Sequence, residues 1–124
     1  MKQPKILLVE DDKELADAYK VRFEAEGFDT HWTENGEDAL AQTLSFKPDV
    51  ILLDIMMPRI SGFDVLDILR NTPETKNVKV VVISALSQPS DIAKATELGA
   101  DEYIVKAQTT VAEVVERIKV HITK

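Results

Sequence analysis

Residues 5–12 read KILLVEDD, a short apolar run that ends abruptly in three acids. Residues 50–54 read VILLD and repeat the same order of apolar run and acid. Both runs are apolar at successive positions instead of alternate ones, which is typical of parallel strands buried on both faces. We therefore predict that these two segments are central strands of a parallel sheet.

Further apolar runs alternate with stretches of helical spacing along the rest of the chain. Strands are predicted at residues 5–9, 28–33, 50–53, 79–83 and 103–105, and helices at 13–26, 37–46, 61–70, 89–98 and 111–122. Strict alternation of strand and helix favours a parallel sheet with right-handed crossovers and helices on both faces. The predicted fold is a flavodoxin-like α/β sandwich, (βα)5, whose five-stranded parallel sheet has the order 2-1-3-4-5 and a ligand crevice between strands 1 and 3.

Several predicted helices carry their own start and stop signals. Thr110 and Glu113, three residues later, match a capping box for the last helix. Ser87 or Ser90 is expected to cap the fourth helix, and Gly99 to end it. No linker, repeat or low-complexity segment divides the chain, so we expect one domain over residues 1–124.

The bulk composition excludes several classes of protein. Hydrophobic residues make up 44% and charged residues 30% of the chain, a balance typical of soluble globular domains. The absence of cysteine excludes disulfides and thiolate chemistry. No apolar run reaches the roughly 18 residues that span a bilayer, and no signal peptide is visible, so we expect a cytoplasmic protein without membrane contact. The net charge of −7 argues against direct binding to nucleic acid.

Polar side chains follow four of the five predicted strands, where ligands bind in folds of this class. They are the acids Glu10, Asp11 and Asp12 after strand 1, Asp54 after strand 3, Ser84 at the end of strand 4 and Lys106 after strand 5. Because strands 1 and 3 are neighbours in the predicted order, Asp11 and Asp54 should face each other.

Carboxylates held this close together repel one another unless a cation neutralises them. Mg²⁺ fits, because it takes oxygen ligands and commonly joins carboxylates to a phosphate. Lys106 adds a positive charge and Ser84 adds a hydroxyl donor. Together with an aspartate nucleophile, these groups are what phosphoryl transfer to a carboxylate requires.

Each of these residues also has a simpler structural interpretation. The acidic triplet could cap the helix that begins near Lys13. The remaining residues could serve as turn, strand-end or packing positions, which applies to Asp54, Ser84, Lys106, Tyr103 and the segment from Met56 to Pro58. The coincidence of compatible groups at four strand ends favours the chemical interpretation.

The sequence resembles the receiver domains of two-component response regulators along essentially its whole length. The matching motifs are ILLVEDD at residues 6–12, DIMMP at 54–58 followed by Ser61 and Gly62, VISA at 82–85 and GADEYIVK at 99–106. Each motif is weak alone, whereas their order and spacing together are specific.

The resemblance implies a role for each residue of the metal and phosphate site. Asp54 matches the phosphoacceptor, and Asp11 matches the direct Mg²⁺ ligand. Glu10 matches the acid that acts on the metal largely through water, and Met56 matches the position that offers a backbone carbonyl. Asp12 resembles the third acid, which we interpret as a helix-start residue.

The resemblance also implies a switch. Ser84 matches the hydroxyl that turns toward the phosphoryl group, Lys106 the lysine that pairs with it, and Tyr103 the aromatic residue that moves inward. Receivers usually follow this lysine with a proline in a cis peptide, whereas this chain has Ala107. A cis bond before a residue other than proline costs about 2.5–4 kcal/mol, so we expect the Lys106–Ala107 bond to be trans.

By this resemblance, the chain is expected to be a phosphorelay switch with Mg²⁺ as its cofactor. Its partners would be a histidine kinase or phosphotransfer protein and a downstream effector protein or domain, and homodimerisation on activation stays open. Its only reactions would be phosphorylation and dephosphorylation of itself. The alternatives are a degenerate receiver that acts as a binding module, and a phosphohydrolase with an aspartyl nucleophile. The haloacid dehalogenase class of such hydrolases needs a second acid at the position of Met56, which argues against the last alternative.

Overall fold

The computed structural model describes residues 3–122 of the chain. Strands and helices alternate as predicted: β1 (Lys5–Val9), α1 (Lys13–Ala25), β2 (Asp29–Thr33), α2 (Gly36–Phe46), β3 (Val50–Asp54), α3 (Gly62–Arg70), β4 (Lys79–Ser84), α4 (Pro89–Glu97), β5 (Glu102–Val105) and α5 (Val111–Ile122). The strands form one parallel sheet in the order β2-β1-β3-β4-β5, which confirms the predicted topology.

The sheet has a hydrophobic core on each face, and β1 supplies side chains to both. Ile6 and Leu8 lie in the core that α1 and α5 cover. Leu7 and Val9 lie in the core covered by α2, α3 and α4. All four side chains are fully buried, and burial stabilises such a side chain by about 1.5–3 kcal/mol relative to exposure. This double burial explains why the run is apolar at every position.

Arg70, the last residue of α3, ties this helix to the segments that lead into β4 and β5. Its guanidinium donates hydrogen bonds to the carbonyl oxygens of Gly99 and Val78 and to the carboxylate of Asp101. Asp101 in turn accepts a hydrogen bond from the backbone N–H of Val80 in β4. These hydrogen bonds fix the beginnings of β4 and β5, whose carboxyl ends carry Ser84 and Lys106.

The start of α4 corrects the sequence analysis. Neither Ser87 nor Ser90 caps this helix; its N-cap is Gln88, which makes no side-chain capping hydrogen bond. Pro89 is the first residue of the helix and has no N–H, so one of the N–H groups that the start of a helix leaves unsatisfied is absent.

The end of β5 matches the sequence analysis more closely. The box between Thr110 and Glu113 is present, with both hydrogen bonds formed. The Lys106–Ala107 bond is trans, as predicted, and a single 3₁₀ turn over Lys106–Gln108 carries the chain toward α5. Across residues 3–122, each helix is too short or too polar to cross a membrane.

Candidate functional site

Three carboxylates meet at the carboxyl ends of β1 and β3. Glu10, Asp11 and Asp54 each offer one oxygen, and these oxygens all lie within 4.8 Å of one another. Val9 pairs with Leu53 at the end of the ladder between β1 and β3, so the residues that follow reach the same edge of the sheet. Glu10 and Asp54 are buried, whereas Asp11 is exposed. The structure thus brings together the three acids that the sequence placed here.

Lys106 supplies the positive charge of the site. Its Nζ lies 3.0 Å from Oδ2 of Asp54 and 3.1 Å from Oε1 of Glu10. Burial alone would lower the pKa of Lys106, but the hydrogen bonds and negative charges of Asp54 and Glu10 outweigh burial and raise the pKa. The ammonium group therefore stays protonated at neutral pH and partly offsets the two buried carboxylates.

The carboxyl group of Glu10 has a perturbed pKa. Burial, followed by the negative charge of Asp54, raises the pKa of Glu10 to about 7 against the opposing effect of Lys106. Its Oε1 is buried and accepts no hydrogen bond from the described residues, although it is in ion-pair contact with Nζ of Lys106. A buried carboxylate oxygen that has only this ion-pair contact, beside two further carboxylate oxygens, fits a hard cation such as Mg²⁺.

Both oxygens of Asp54 are held in place. Oδ1 accepts a hydrogen bond of 3.0 Å from the backbone N–H of Met56, and Oδ2 accepts one from Nζ of Lys106. Met56 itself is 53% exposed, whereas Asp54 is 2% exposed. The carboxylate of Asp54 is thereby oriented at the end of a rigid buried strand.

Ser84 and Tyr103 are linked through one residue of the loop between β4 and α4. The Oγ of Ser84 accepts a hydrogen bond of 3.1 Å from the N–H of Leu86. The hydroxyl of Tyr103 donates a hydrogen bond of 2.8 Å to the carbonyl of the same Leu86. Burial raises the pKa of the half-buried Tyr103. Sequence reasoning named the first and last of these residues and missed Leu86, because a backbone contact leaves no signal in residue type.

The neighbouring acid Asp12 has a structural role. Its Oδ1 accepts a hydrogen bond from the N–H of Leu15 and caps α1. This confirms the interpretation of Asp12 as a helix-start residue.

Sequence reasoning also missed Trp32. Its indole Nε1 donates a hydrogen bond of 2.7 Å to the backbone carbonyl of Glu10, 22 residues earlier in the chain. Only the pairing of β1 with β2, which places Leu8 beside Trp32, could have indicated the contact.

Known proteins resemble this chain in sequence. The family model for the response regulator receiver domain matches residues 6–119. The phosphate regulon transcriptional regulatory protein PhoB of Rhizobium meliloti is 34% identical over 116 residues, which cover 94% of this chain and 51% of PhoB. The DNA-binding dual master transcriptional regulator RpaA of Synechocystis is 33% identical over 103 residues, which cover 83% of this chain and 43% of RpaA. The chain thus spans about half the length of these curated relatives.

Solved structures agree with the sequence comparison. The receiver domain of the Francisella response regulator 1452 superimposes with a TM-score of 0.88 at 33% identity, and the alignment covers 96% of each chain. The sheet order, the acids at its carboxyl edge and the match over residues 6–119 lead to the same conclusion. The chain belongs to the response-regulator receiver domain family.

Proposed function

We propose that this chain is a phosphorelay switch that accepts a phosphoryl group on Asp54 with Mg²⁺ as its cofactor. The observation that carries the proposal is the state of Asp54: a carboxylate that is 2% exposed, with one oxygen held by a backbone N–H and the other by Lys106. An oriented carboxylate beside a fixed cation suits nucleophilic attack on phosphorus. The switch unit is proposed to comprise residues 1–124.

The chemistry proposed for Asp54 is a simple displacement. With acetyl phosphate as donor, a carboxylate oxygen of Asp54 bonds to phosphorus while the bond from phosphorus to the acetyl oxygen breaks, and acetate leaves with the electron pair. Water later attacks the phosphorus of the acyl phosphate, which releases inorganic phosphate and restores the carboxylate. Mg²⁺ would be held by Asp11, Asp54 and the carbonyl of Met56, with Glu10 nearby, and would offset negative charge on the phosphoryl oxygens.

Lys106 and Ser84 are proposed to contact the transferred group. Lys106 already lies within hydrogen-bonding distance of Asp54, so its charge is available to the phosphoryl oxygens without a large movement. Ser84 would turn its hydroxyl toward the phosphoryl group and so lose the hydrogen bond from Leu86. That loss would free the loop that the Tyr103 hydroxyl also holds and change the surface formed by α4, β5 and α5.

The proposed partners follow from this chemistry and from the relatives. A histidine kinase or phosphotransfer protein would donate the phosphoryl group, and a downstream effector protein or domain would read the changed surface. Curated relatives are named as DNA-binding or transcriptional regulators and are about twice the length of this chain. We therefore propose that control of such an effector is the output, with homodimerisation on activation left open.

Incubation with acetyl phosphate and Mg²⁺ is expected to add one phosphoryl group to the protein, as measured by intact mass. The added mass should be absent when a chelator removes Mg²⁺, and it should disappear on treatment with hydroxylamine, which cleaves acyl phosphates. An unchanged mass, under conditions in which a control receiver domain reacts, would contradict the proposal and favour a degenerate receiver that only binds partners. Sustained turnover of a phosphomonoester would instead favour a phosphohydrolase.

Asp11→Ala is expected to weaken Mg²⁺ binding by at least about tenfold, because it removes a proposed direct ligand. In the wild-type protein, Mg²⁺ should raise the unfolding temperature by mass action. The metal-free variant should be as stable as the wild type or more stable, since one of three clustered like charges is gone. Calorimetric titration and thermal unfolding measure the two effects.

The matched control is Asp12→Ser, which removes the same charge one residue away while a serine can still cap α1. This variant should bind Mg²⁺ nearly as tightly as the wild type. Equal Mg²⁺ affinity in the Asp11→Ala variant and the wild type would mean that the metal site is assigned to the wrong residue.

Beryllofluoride with Mg²⁺ is expected to bury the ring of Tyr103 further, because this reagent stands in for the phosphoryl group. The ring is half-buried here, and its hydroxyl is tied to the loop that Ser84 also holds. Amide and ring-proton shifts should change together at Ser84, Leu86 and Tyr103 and extend along α4, β5 and α5. The coupling is wrong if beryllofluoride binds and the shift changes stay confined to the loops around Asp54.

A further inference from the structure

We propose that Trp32 is a positioning residue for the Mg²⁺ site, acting through the peptide that joins Glu10 to Asp11. The inference rests on the proposed function, since it assigns Asp11 a role toward the metal. The observation behind it is the 2.7 Å hydrogen bond from the indole Nε1 of Trp32 to the backbone carbonyl of Glu10. Trp32 lies on β2 and has no carboxylate, so it is not itself a ligand of the proposed site.

The hydrogen bond from Trp32 to Glu10 lies at the end of the pairing between β1 and β2. The N–H of Glu10 donates a hydrogen bond of 3.1 Å to the carbonyl of Thr33, the last residue of β2. Beyond this hydrogen bond, β2 has no further strand residue whose N–H could donate to the carbonyl of Glu10. The indole N–H of Trp32 takes the place of the missing backbone donor and satisfies a polar group of a fully buried residue.

The carbonyl of Glu10 and the N–H of Asp11 belong to one planar peptide unit. A donor that holds this carbonyl also fixes the plane from which the Cα and side chain of Asp11 depart. Among residues 3–122, no side chain donates a hydrogen bond to the carboxylate of Asp11, which is exposed. The backbone therefore sets the position from which the Asp11 side chain can reach a cation, and Trp32 holds that backbone on one side through the carbonyl of Glu10.

The indole ring is itself fixed by packing. Trp32 is half-buried and packs against the core shared by the sheet, α1 and α5, as does Leu15 of α1. A ring held in this way presents its N–H in one direction before any cation arrives. Groups that orient a metal ligand in this manner commonly influence metal affinity about 10–100-fold when they are removed.

The sharpest test replaces the N–H without changing the ring. Trp32 is the only tryptophan of the chain, so growth of a tryptophan auxotroph on benzothienylalanine places sulfur where the N–H was, at this position alone. Protein labelled with 5-fluorotryptophan keeps the N–H and is the matched control. Calorimetric titration with Mg²⁺ should give a dissociation constant raised about tenfold for the sulfur analogue and unchanged for the fluorinated one.

A purely structural role would give a different result. Lower metal-free stability with unchanged Mg²⁺ affinity would overturn the proposal while leaving the proposed function intact. Failure of the wild-type protein to bind Mg²⁺ would overturn both, and the wild-type titration identifies that case.

A second measurement tests the proposal on the wild-type protein and does not require the sulfur analogue to fold. In the wild-type protein, the resonance of the Trp32 indole N–H should shift during Mg²⁺ titration with the same midpoint as the Asp11 amide. An indole resonance that stays fixed while the Asp11 amide moves would also overturn the proposal. Trp32→Phe, which keeps an aromatic ring and loses the donor, should weaken Mg²⁺ binding in the same direction.

Discussion

Asp54→Asn is expected to abolish uptake of the phosphoryl group, so that the mass of the variant stays unchanged when the wild type gains one group. The carboxamide has nearly the shape of the carboxylate but lacks the negative oxygen that would attack phosphorus. Removal of a nucleophile commonly costs several orders of magnitude in rate. The amide oxygen can still accept the hydrogen bond from the N–H of Met56, so the loop after β3 should keep its conformation.

The fold of this variant should survive, because asparagine removes one of two buried like charges that share a single lysine. Lys106 keeps its contact with Glu10 at 3.1 Å, so the ammonium group does not lose its only counter-ion. The amide nitrogen of the new side chain can face Nζ of Lys106 only at some cost in repulsion between donors. We therefore expect a modest change in unfolding free energy alongside a complete loss of phosphorylation.

Asp17→Asn on the exposed surface of α1 is a matched control, since it makes the same chemical change away from the site. This variant should be phosphorylated like the wild type. Equal phosphoryl uptake by the Asp54→Asn variant and the wild type would show that another residue is the acceptor. Proteolysis and mass mapping of the modified peptide would then identify it.

The fold could be predicted because its strongest signals are local. Runs such as residues 6–9 are apolar at each position, and this pattern identifies central parallel strands without knowledge of their partners. The predicted order of the sheet then brings the strand ends together. It is this topology that places Lys106 beside Asp54, 52 residues earlier, and beside Glu10, 96 residues earlier.

Other features depend on geometry that residue types do not carry. The indole of Trp32 reaches Glu10 because of the register between β1 and β2, and Arg70 reaches Asp101 because α3 ends beside the loop before β5. The expected serine caps of α4 failed for a different reason, since two serines flank Pro89 and the sequence alone does not show which residue has the capping backbone conformation.

The sequence analysis also did not predict which acid of the triplet from Glu10 to Asp12 is buried, although the periodicity of β1 indicates it. Glu10 follows Leu8 at strand periodicity, on the same face as Ile6, and it is fully buried. Asp11 and Asp12 come after the strand has ended and are exposed. The alternation of side chains between the two faces of β1 thus continues for one residue beyond the strand. It places Glu10 in the core and leaves the next two acids exposed.

Gly62→Ala is expected to cost about 3 kcal/mol of unfolding free energy or more, a large share of the stability of a domain of this size. A Cβ at Gly62 would lie 2.4 Å from the carbonyl oxygen of Asp54 and 2.6 Å from the Cα of Ile55. Both atoms are backbone at the end of β3, where Asp54 pairs with Ile83 of β4 and the preceding Leu53 pairs with Val9 of β1, so they cannot move aside cheaply. The N–H of Gly62 also donates a hydrogen bond of 2.9 Å to the carbonyl of Ile55, which fixes the close approach.

Gly36→Ala is the informative comparison for this prediction. A Cβ at Gly36 would lie 2.4 Å from Cγ1 of Ile60 and 2.8 Å from Cγ2 of the buried Val65. Both neighbours are side chains instead of backbone, and the half-buried Ile60 can change rotamer. In urea unfolding, the Gly62→Ala variant should therefore have a much lower unfolding free energy than the Gly36→Ala variant. Any folded Gly62→Ala protein should also be phosphorylated more slowly, because the displaced backbone belongs to Asp54 itself. Equal losses of stability in the two variants would mean that the end of β3 can yield as readily as the side chain of Ile60, and that the rigid strand end assigned to the acceptor does not exist.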